Sequence, residues 1–266
     1  MKASNSALIE SLAQSIEKKD NLSRNSYTKY AVRAMLATMF LTLGTGIAFY
    51  ISMYADSIVP HSGKFFYAFM FSWSLVMIVY MNAELGTSNM MYMTSAVYNK
   101  KLRFWTAAKI LAICIFFNFV GAVVFAWFMS QTNAFNHLTP DSYLFEAVSA
   151  KLAKTPWTQF TEGIFANIVV NTAVFCTLRM KDDAGKVFSM IFIIFIFAFL
   201  GFEHVIANFV SFSLAFFANG GPVEGMNIWS VLSNFFFSGI GNYVGGGLVI
   251  GLLYSWLNKN SDIYVD

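Results

Sequence analysis

The sequence predicts an all-α membrane protein: six transmembrane helices forming an inverted repeat, with the second and fifth helices broken. Three observations carry this expectation. The chain has too little charge for a water-facing surface, it contains six apolar runs of membrane-crossing length, and one polar signature recurs in each half. Of 266 residues, 57% are hydrophobic and 12% are charged, against roughly 25% charged in a soluble domain. With a mean hydropathy of +0.58, that balance excludes a soluble globular protein. An aromatic share of 18% with only 4 prolines excludes collagen, coiled coil and a disordered chain. A net charge of +3 and the lack of a basic run leave no footprint for nucleic acid. Cys114 and Cys176 both lie in apolar stretches and read as small core residues rather than a disulfide or metal pair. No metal or cofactor is expected. The first thirty residues are polar, so no cleavable signal peptide is expected.

Residues 1–28 form a polar segment in which Leu8, Ile9, Leu12 and Ile16 share one helical face. It reads as an amphipathic helix on the membrane surface, a plug, or a frayed tail. Six apolar runs follow at about 30–53, 65–98, 104–129, 159–178, 187–217 and 228–257. Each is long enough to cross roughly 30 Å of hydrocarbon. Together they make one transmembrane domain over 29–258, with repeats at about 29–130 and 157–258 and a tail at 259–266. Of the 17 Lys and Arg residues, 14 fall on the side of the termini, and only Lys64, Lys151 and Lys154 fall on the other. The positive-inside rule therefore puts both termini in the cytoplasm, with the cell membrane as the default location. An even number of spans agrees. Pro60, Pro140, Pro156 and Pro222 all fall in predicted outer loops, so proline breaks no span. His61 and His137 fall in outer loops too.

The interruptions come from something else. The second run breaks at Glu84-Leu85-Gly86-Thr87-Ser88-Asn89, and the fifth at Gly201-Phe202-Glu203-His204-Val205-Ile206-Ala207-Asn208. Each holds a glutamate followed five positions later by an asparagine. The next run in each half carries a second mark, Asn118-Phe119-Val120-Gly121 or Asn242-Tyr243-Val244-Gly245. Two units of three spans have opposite orientation in the membrane, the plan of many channels and transporters. A glutamate at the centre of a span costs about 2.5–3.5 kcal/mol even on lenient scales, so it must face protein or water and be bonded. Glu84, Asn89, Glu203 and Asn208 are therefore read as braces for broken helix ends. Opposed half-helix N-termini would favour an anion between them. Thr87 offers a hydroxyl there. His204 is the only histidine in a predicted span; it is either a satisfied core residue or a pathway residue suited to proton-linked work. By spacing alone, Phe71, Leu75, Val170 and Phe197 are packing residues or line constrictions. Glycines at 239, 241, 245, 246, 247 and 251 crowd the sixth span, as at helix–helix or subunit contacts.

These motifs resemble the formate/nitrite transporter family. The likeness rests on Ala83 to Asn89, on the Gly-Phe-Glu-His-x-x-Ala-Asn string at 201–208, on Gly241-Asn242-Tyr243-Val244-Gly245-Gly246-Gly247, and on a weaker echo at 163–167. It covers roughly residues 30–257. The resemblance implies a homopentamer of aquaporin-like six-helix protomers, one pore each. It also implies passage of small monovalent anions or their conjugate acids: formate foremost, then nitrite, hydrosulfide, acetate or lactate. The family's central histidine would be His204 and its loop threonine Thr87. Its vestibule lysine would be Lys151, with Lys154 as the alternative. Asn167 and Asn242 would be polar pathway positions. Phe71, Leu75, Val170 and Phe197 would narrow the pore, joined by Leu85 and Gly86 of the break. The family often has Glu-Leu-Phe-Thr where this chain has Glu-Leu-Gly-Thr, so Gly86 is expected to remove an aromatic from a constriction. Two other classes compete. A neutral-solute channel of the aquaporin kind needs Asn-Pro-Ala breaks, and no Asn-Pro occurs here. A membrane-embedded enzyme would use Glu84, Glu203 and His204 as a cluster, yet giving each half its own Glu–Asn brace suits a scaffold better.

Overall fold

Apolar segments in hydrocarbon must satisfy their backbone internally, which leaves helix as the only local solution for runs of this length. The computed structural model describes residues 7–135 and 138–259. His137, Lys2 and the tail from residue 260 onward lie outside the described residues. Helix α1 covers Ala7–Asn25 and α2 Tyr27–Ile58. Helices α3 (Gly63–Phe71) and α4 (Trp73–Tyr80) form one crossing, interrupted at Ser72, whose hydroxyl bonds back to the Ala68 carbonyl at 2.7 Å. Then come α5 (Gly86–Tyr98), α6 (Phe104–Ser130), α7 (Tyr143–Leu152), α8 (Pro156–Arg179), α9 (Asp183–Leu200) and α10 (Val205–Ala218). Helix α11 (Ile228–Asn242) continues through a π-helical stretch, Tyr243–Leu253, into α12 (Tyr254–Leu257). Among the described residues six helices are long and apolar enough to cross a membrane: Tyr27–Ile58, Gly63–Tyr80, Phe104–Ser130, Pro156–Arg179, Asp183–Leu200 and Ile228–Leu257.

Local chemistry sets the ends. Thr155 caps α8 by accepting the Thr158 N–H, with Pro156 at the first helical position. Asp182 caps α9 at the Gly185 N–H. Helix α9 stops at Gly201, which holds φ +74, a conformation that favours glycine. Asn227 and Ser230 close a capping box on α11.

The two breaks are shorter than expected. They cover residues 81–85 and 201–204, so Asn89 and Asn208 lie in the first turns of α5 and α10 rather than in irregular chain. The reason is tertiary: a side chain from another span takes the first N–H of each half-helix, and helix can begin at once. The two halves also interlock. Helix α10 packs across α6 of the first half, and α5 packs against the π-helical stretch of the second. The sixth-span glycines mostly serve contacts inside the protomer. A side chain on Gly245 would run into the Ile164 carbonyl, and one on Gly246 into the Asn167 and Asn171 amides.

Helix α1 buries Leu8, Ile9, Leu12 and Ile16, and it packs against α2, α5 and α8. The apolar stripe thus lies on the bundle, and the helix's polar edge faces the mouth described next.

Candidate functional site

The half-helices α5 and α10 meet with their N-termini inside the bundle. There Thr87 Oγ1 and His204 Nε2 are 2.8 Å apart, both buried. His204 is the N-cap of α10, and its Nδ1 accepts the Ala207 N–H at 3.1 Å. A ring nitrogen that accepts is unprotonated, so the hydrogen-bond network assigns the neutral ring's proton to Nε2, which donates to Thr87. Both ring nitrogens are thereby engaged. Beside the ring lies a cavity of about 20 Å³ lined by Leu41, Phe71, Leu75, Ile78, Leu85, Val170, Ile194, Phe197 and His204. Eight of these nine side chains are hydrocarbon, so an unpaired anion entering the chamber would lose its hydration with nothing in return.

Each break is held by a matched network. Asn118 accepts the Gly86 N–H at 2.7 Å and donates to the carbonyls of Glu84 (2.9 Å) and Ala34 (2.6 Å). Asn242 does the same in the other half, with the Val205 N–H at 2.8 Å and the carbonyls of Glu203 (2.9 Å) and Gly163 (2.8 Å). The carboxylates are matched too. Asn89 donates to Glu84 Oε2 at 2.9 Å, and Asn208 to Glu203 Oε2 at 2.6 Å. The inverted repeat is therefore a repeat of hydrogen bonds.

It extends to charge. Lys19 of α1 pairs with Glu84 at 2.7 Å. On the other side, Lys151 of α7 and Lys154 just beyond it share Glu203 Oε1 at 3.0 and 2.8 Å. A short helix precedes the first span of each half, and in both cases the segment running up to that span carries the lysine that neutralises the break's glutamate. Burial works to lower the Lys19 pKa, but the Glu84 carboxylate outweighs it and holds the ammonium above the usual lysine range. Burial lowers Lys151, and Glu203 only partly offsets that. Burial also opposes Lys154, yet Glu203 and Glu162 together raise it.

Two mouths flank the central chamber. The mouth beside α1 is a cavity of about 180 Å³ whose lining includes Ser15, Lys18, Lys19, Glu84, Ser88 and Tyr92. The mouth beside α7 is a cavity of about 50 Å³ whose lining includes Thr45, Tyr67, Phe71, Lys151, Phe202 and Ser211.

Several expected positions gather here, and others do not. Phe71, Leu75, Leu85, Val170, Phe197 and His204 line the central chamber. Thr87 lies behind the imidazole and lines none of the three cavities. Asn167 and Asn242, expected along the pathway, are fully buried ties between helices. Asn167 donates to the Thr87 and Asn242 carbonyls at 3.1 and 2.7 Å. Gly86 faces α6, not the chamber: a side chain there would meet Ile115 at 2.8 Å and Asn118 at 3.0 Å. The small residue at this position fits the close approach of α6. The sequence reading missed Leu41, Ile78 and Ile194 in the chamber wall, and Lys19 as the partner of Glu84. The only sequence signal for Lys19 was its place three residues beyond the apolar stripe, on the same helical face as Ile16.

An inverted-repeat bundle with two broken helices, a dry chamber at their meeting point and a lysine-bearing mouth on either side is a membrane channel or transporter. Residues 6–256 match the family described as formate/nitrite transporter. The formate-nitrite transporter of Plasmodium falciparum (isolate 3D7) is 30% identical over 264 residues, covering 94% of this chain and 84% of that protein. An uncharacterised Bacillus subtilis transporter, YwcJ, is 26% identical over 95% of this chain and 98% of its own. Among solved structures, an FNT family ion channel matches with a TM-score of 0.87 at 22% identity, over 95% of this chain and 99% of that one. A pentameric formate channel with formate bound matches with a TM-score of 0.69 at 23% identity, over 86% and 97%. The chain belongs to the formate/nitrite transporter family, a family of transport proteins rather than enzymes.

Proposed function

We propose that this protein carries small monovalent anions of weak acids across the cell membrane, formate foremost, each with a proton. The observation that carries the reading is the central chamber: eight hydrocarbon side chains and one histidine whose two ring nitrogens are already bonded. Such a chamber rejects a bare anion and admits a neutral acid. Lysine at each mouth gathers the anion. As the anion leaves water its own pKa rises, because desolvation disfavours the charged form, and it takes a proton. At mid-passage the one polar group on the chamber wall is His204, whose Nε2–H can pass from Thr87 to the acid. A proton placed on His204 Nδ1 displaces the Ala207 N–H cap, so proton supply from water, with the imidazole as hydrogen-bond partner, fits the geometry best. Nitrite, hydrosulfide, acetate and lactate satisfy the same chemistry.

The reading includes a homopentamer, like the formate channel it matches in fold, with both termini cytoplasmic as the lysine and arginine distribution favours. Outward-facing Phe116, Phe128, Phe188, Phe192 and Phe236 suit lipid or a neighbouring subunit. The test is flux in proteoliposomes, comparing formate, nitrite, hydrosulfide, acetate and lactate at two pH values while internal pH and membrane potential are read together. Electroneutral flux that acidifies the interior supports the reading. Charge-carrying flux without acidification overturns proton linkage, and no flux of any of the five overturns the substrate class.

A further inference from the structure

Among the buried hydroxyls without a hydrogen-bond partner, Ser88 and Thr45 each line a mouth. Ser88, 7% exposed, lines the α1 mouth, and its Oγ has no hydrogen-bond partner. Thr45, 1% exposed, lines the α7 mouth, and its Oγ1 has none either. A buried hydroxyl left unbonded costs about 1–3 kcal/mol, and a helical threonine has a ready local outlet in the carbonyl one turn back. Thr42, one turn earlier on the same helix, takes that outlet at the Thr38 carbonyl (2.7 Å), whereas Thr45 does not.

The two positions are not related by the repeat. Matching Asn118 to Asn242 and Glu84–Asn89 to Glu203–Asn208 sets Ser88 against Ala207, which lines the α7 mouth without a hydroxyl. Matching Ala34 to Gly163, the two carbonyls held by those asparagines, sets Thr45 against Val174, which lines the α1 mouth. Each mouth thus has one hydroxyl that is fully buried and unbonded, supplied from a different element in each half.

Charge agrees. The charged side chains lining the α1 mouth are Lys18, Lys19 and Glu84, a net of +1, and Lys151 lines the α7 mouth, paired at 3.0 Å with Glu203, which is fully buried and outside that lining. Ser88 also sits in the first turn of the 13-residue α5, where the helix's positive end favours an anion.

We propose that each mouth holds a carboxylate subsite formed by a hydroxyl and an ammonium, Ser88 with Lys19 beside α1 and Thr45 with Lys151 beside α7, so that the passage binds its anion once on each side of the dry chamber. This rests on the transport reading above. The unequal cavities, about 180 and 50 Å³, make the α1 subsite the roomier of the two.

The test uses full-length protein in proteoliposomes of known orientation, with formate and then lactate offered to one face at a time. Ser88→Ala should raise the half-saturation concentration for entry at the α1 face about tenfold, the loss of one hydrogen bond to a charged group, and leave the α7 face unchanged. Thr45→Val should do the reverse. Ser88→Thr, which keeps the hydroxyl, should restore the α1 face. Equal shifts at both faces, or a fall in maximal flux alone, would mean a packing role and overturn the subsites. Wild-type flux with no shift in either variant overturns them and leaves the transport reading intact. A wild-type protein that carries none of the anions overturns the transport reading itself, and the subsites with it.

Discussion

Replacing Lys19 by methionine should destabilise this protein more than replacing Lys151. Among the described residues Lys19 is the sole ammonium on Glu84, at 2.7 Å, and the two side chains are only 13% and 7% exposed. Lys19→Met leaves a buried carboxylate held by one amide, Asn89 at 2.9 Å. Leaving one charge of a buried pair alone costs about 3–5 kcal/mol. Glu203 is better supplied. Without Lys151 it keeps Lys154 at 2.8 Å and the amides of Asn208 and Asn234 at 2.6 and 3.0 Å. Lys151→Met therefore removes little more than one charged hydrogen bond, about 1.5–3 kcal/mol. Equilibrium unfolding of the solubilised protein by denaturant, read by tryptophan fluorescence, measures both. Adding Glu84→Gln to Lys19→Met should recover much of the loss, because a neutral amide of the same shape needs no ammonium. A Lys151→Met loss as large as that of Lys19→Met, or a double variant no better than the single one, would refute the idea that α1 is fastened through this pair.

The other predictions concern separate parts of the molecule. Since the folded-state pKa of Lys19 lies above its unfolded value, the pair's stabilisation is complete below about pH 10.4 and disappears as pH rises through the folded value; alkaline melting curves should show the loss in the wild type and not in Lys19→Met. Asn242→Leu strands the Val205 N–H and the Glu203 carbonyl, on the order of 2–6 kcal/mol at 1–3 each, and removes the tie to the Gly163 carbonyl of α8; size-exclusion profiles should show little folded protein. Gly245→Ala drives a methyl into the Ile164 carbonyl; helix α8 must shift, and the melting temperature should fall by several degrees. His204→Phe keeps a ring in the chamber wall but removes its one polar group, so formate flux in proteoliposomes should fall while its pH dependence, set by protonation of the anion from water, is kept; unchanged flux would remove the imidazole from the mechanism, and lost pH dependence would make it the proton donor.

Much of this protein was legible as a string. Run length and hydropathy determine the six spans, because a backbone without water has no alternative to helix. The intramembrane glutamates announced their own importance, since a buried carboxylate survives only where partners are built around it. Pairing Glu84 with Asn89 and Glu203 with Asn208 exposed the repeat without any coordinates. What the string left open was direction. Asn167, Asn171 and Asn242 are as polar as any pathway residue, and only the packing of α8 against the sixth span turns their amides onto backbone carbonyls. Gly86 read as a gap in a pore until its α-carbon was seen to face α6. Leu41, Ile78 and Ile194 are unremarkable leucine and isoleucine in apolar runs, and nothing short of the assembled chamber separates them from their neighbours. Lys19 lies 65 residues from Glu84, too far apart for sequence spacing to pair them. The sequence by itself determined which groups must be satisfied, because burial energies depend on residue type. The tertiary structure decided which partner satisfies each, because that depends on where helices from distant parts of the chain come to rest.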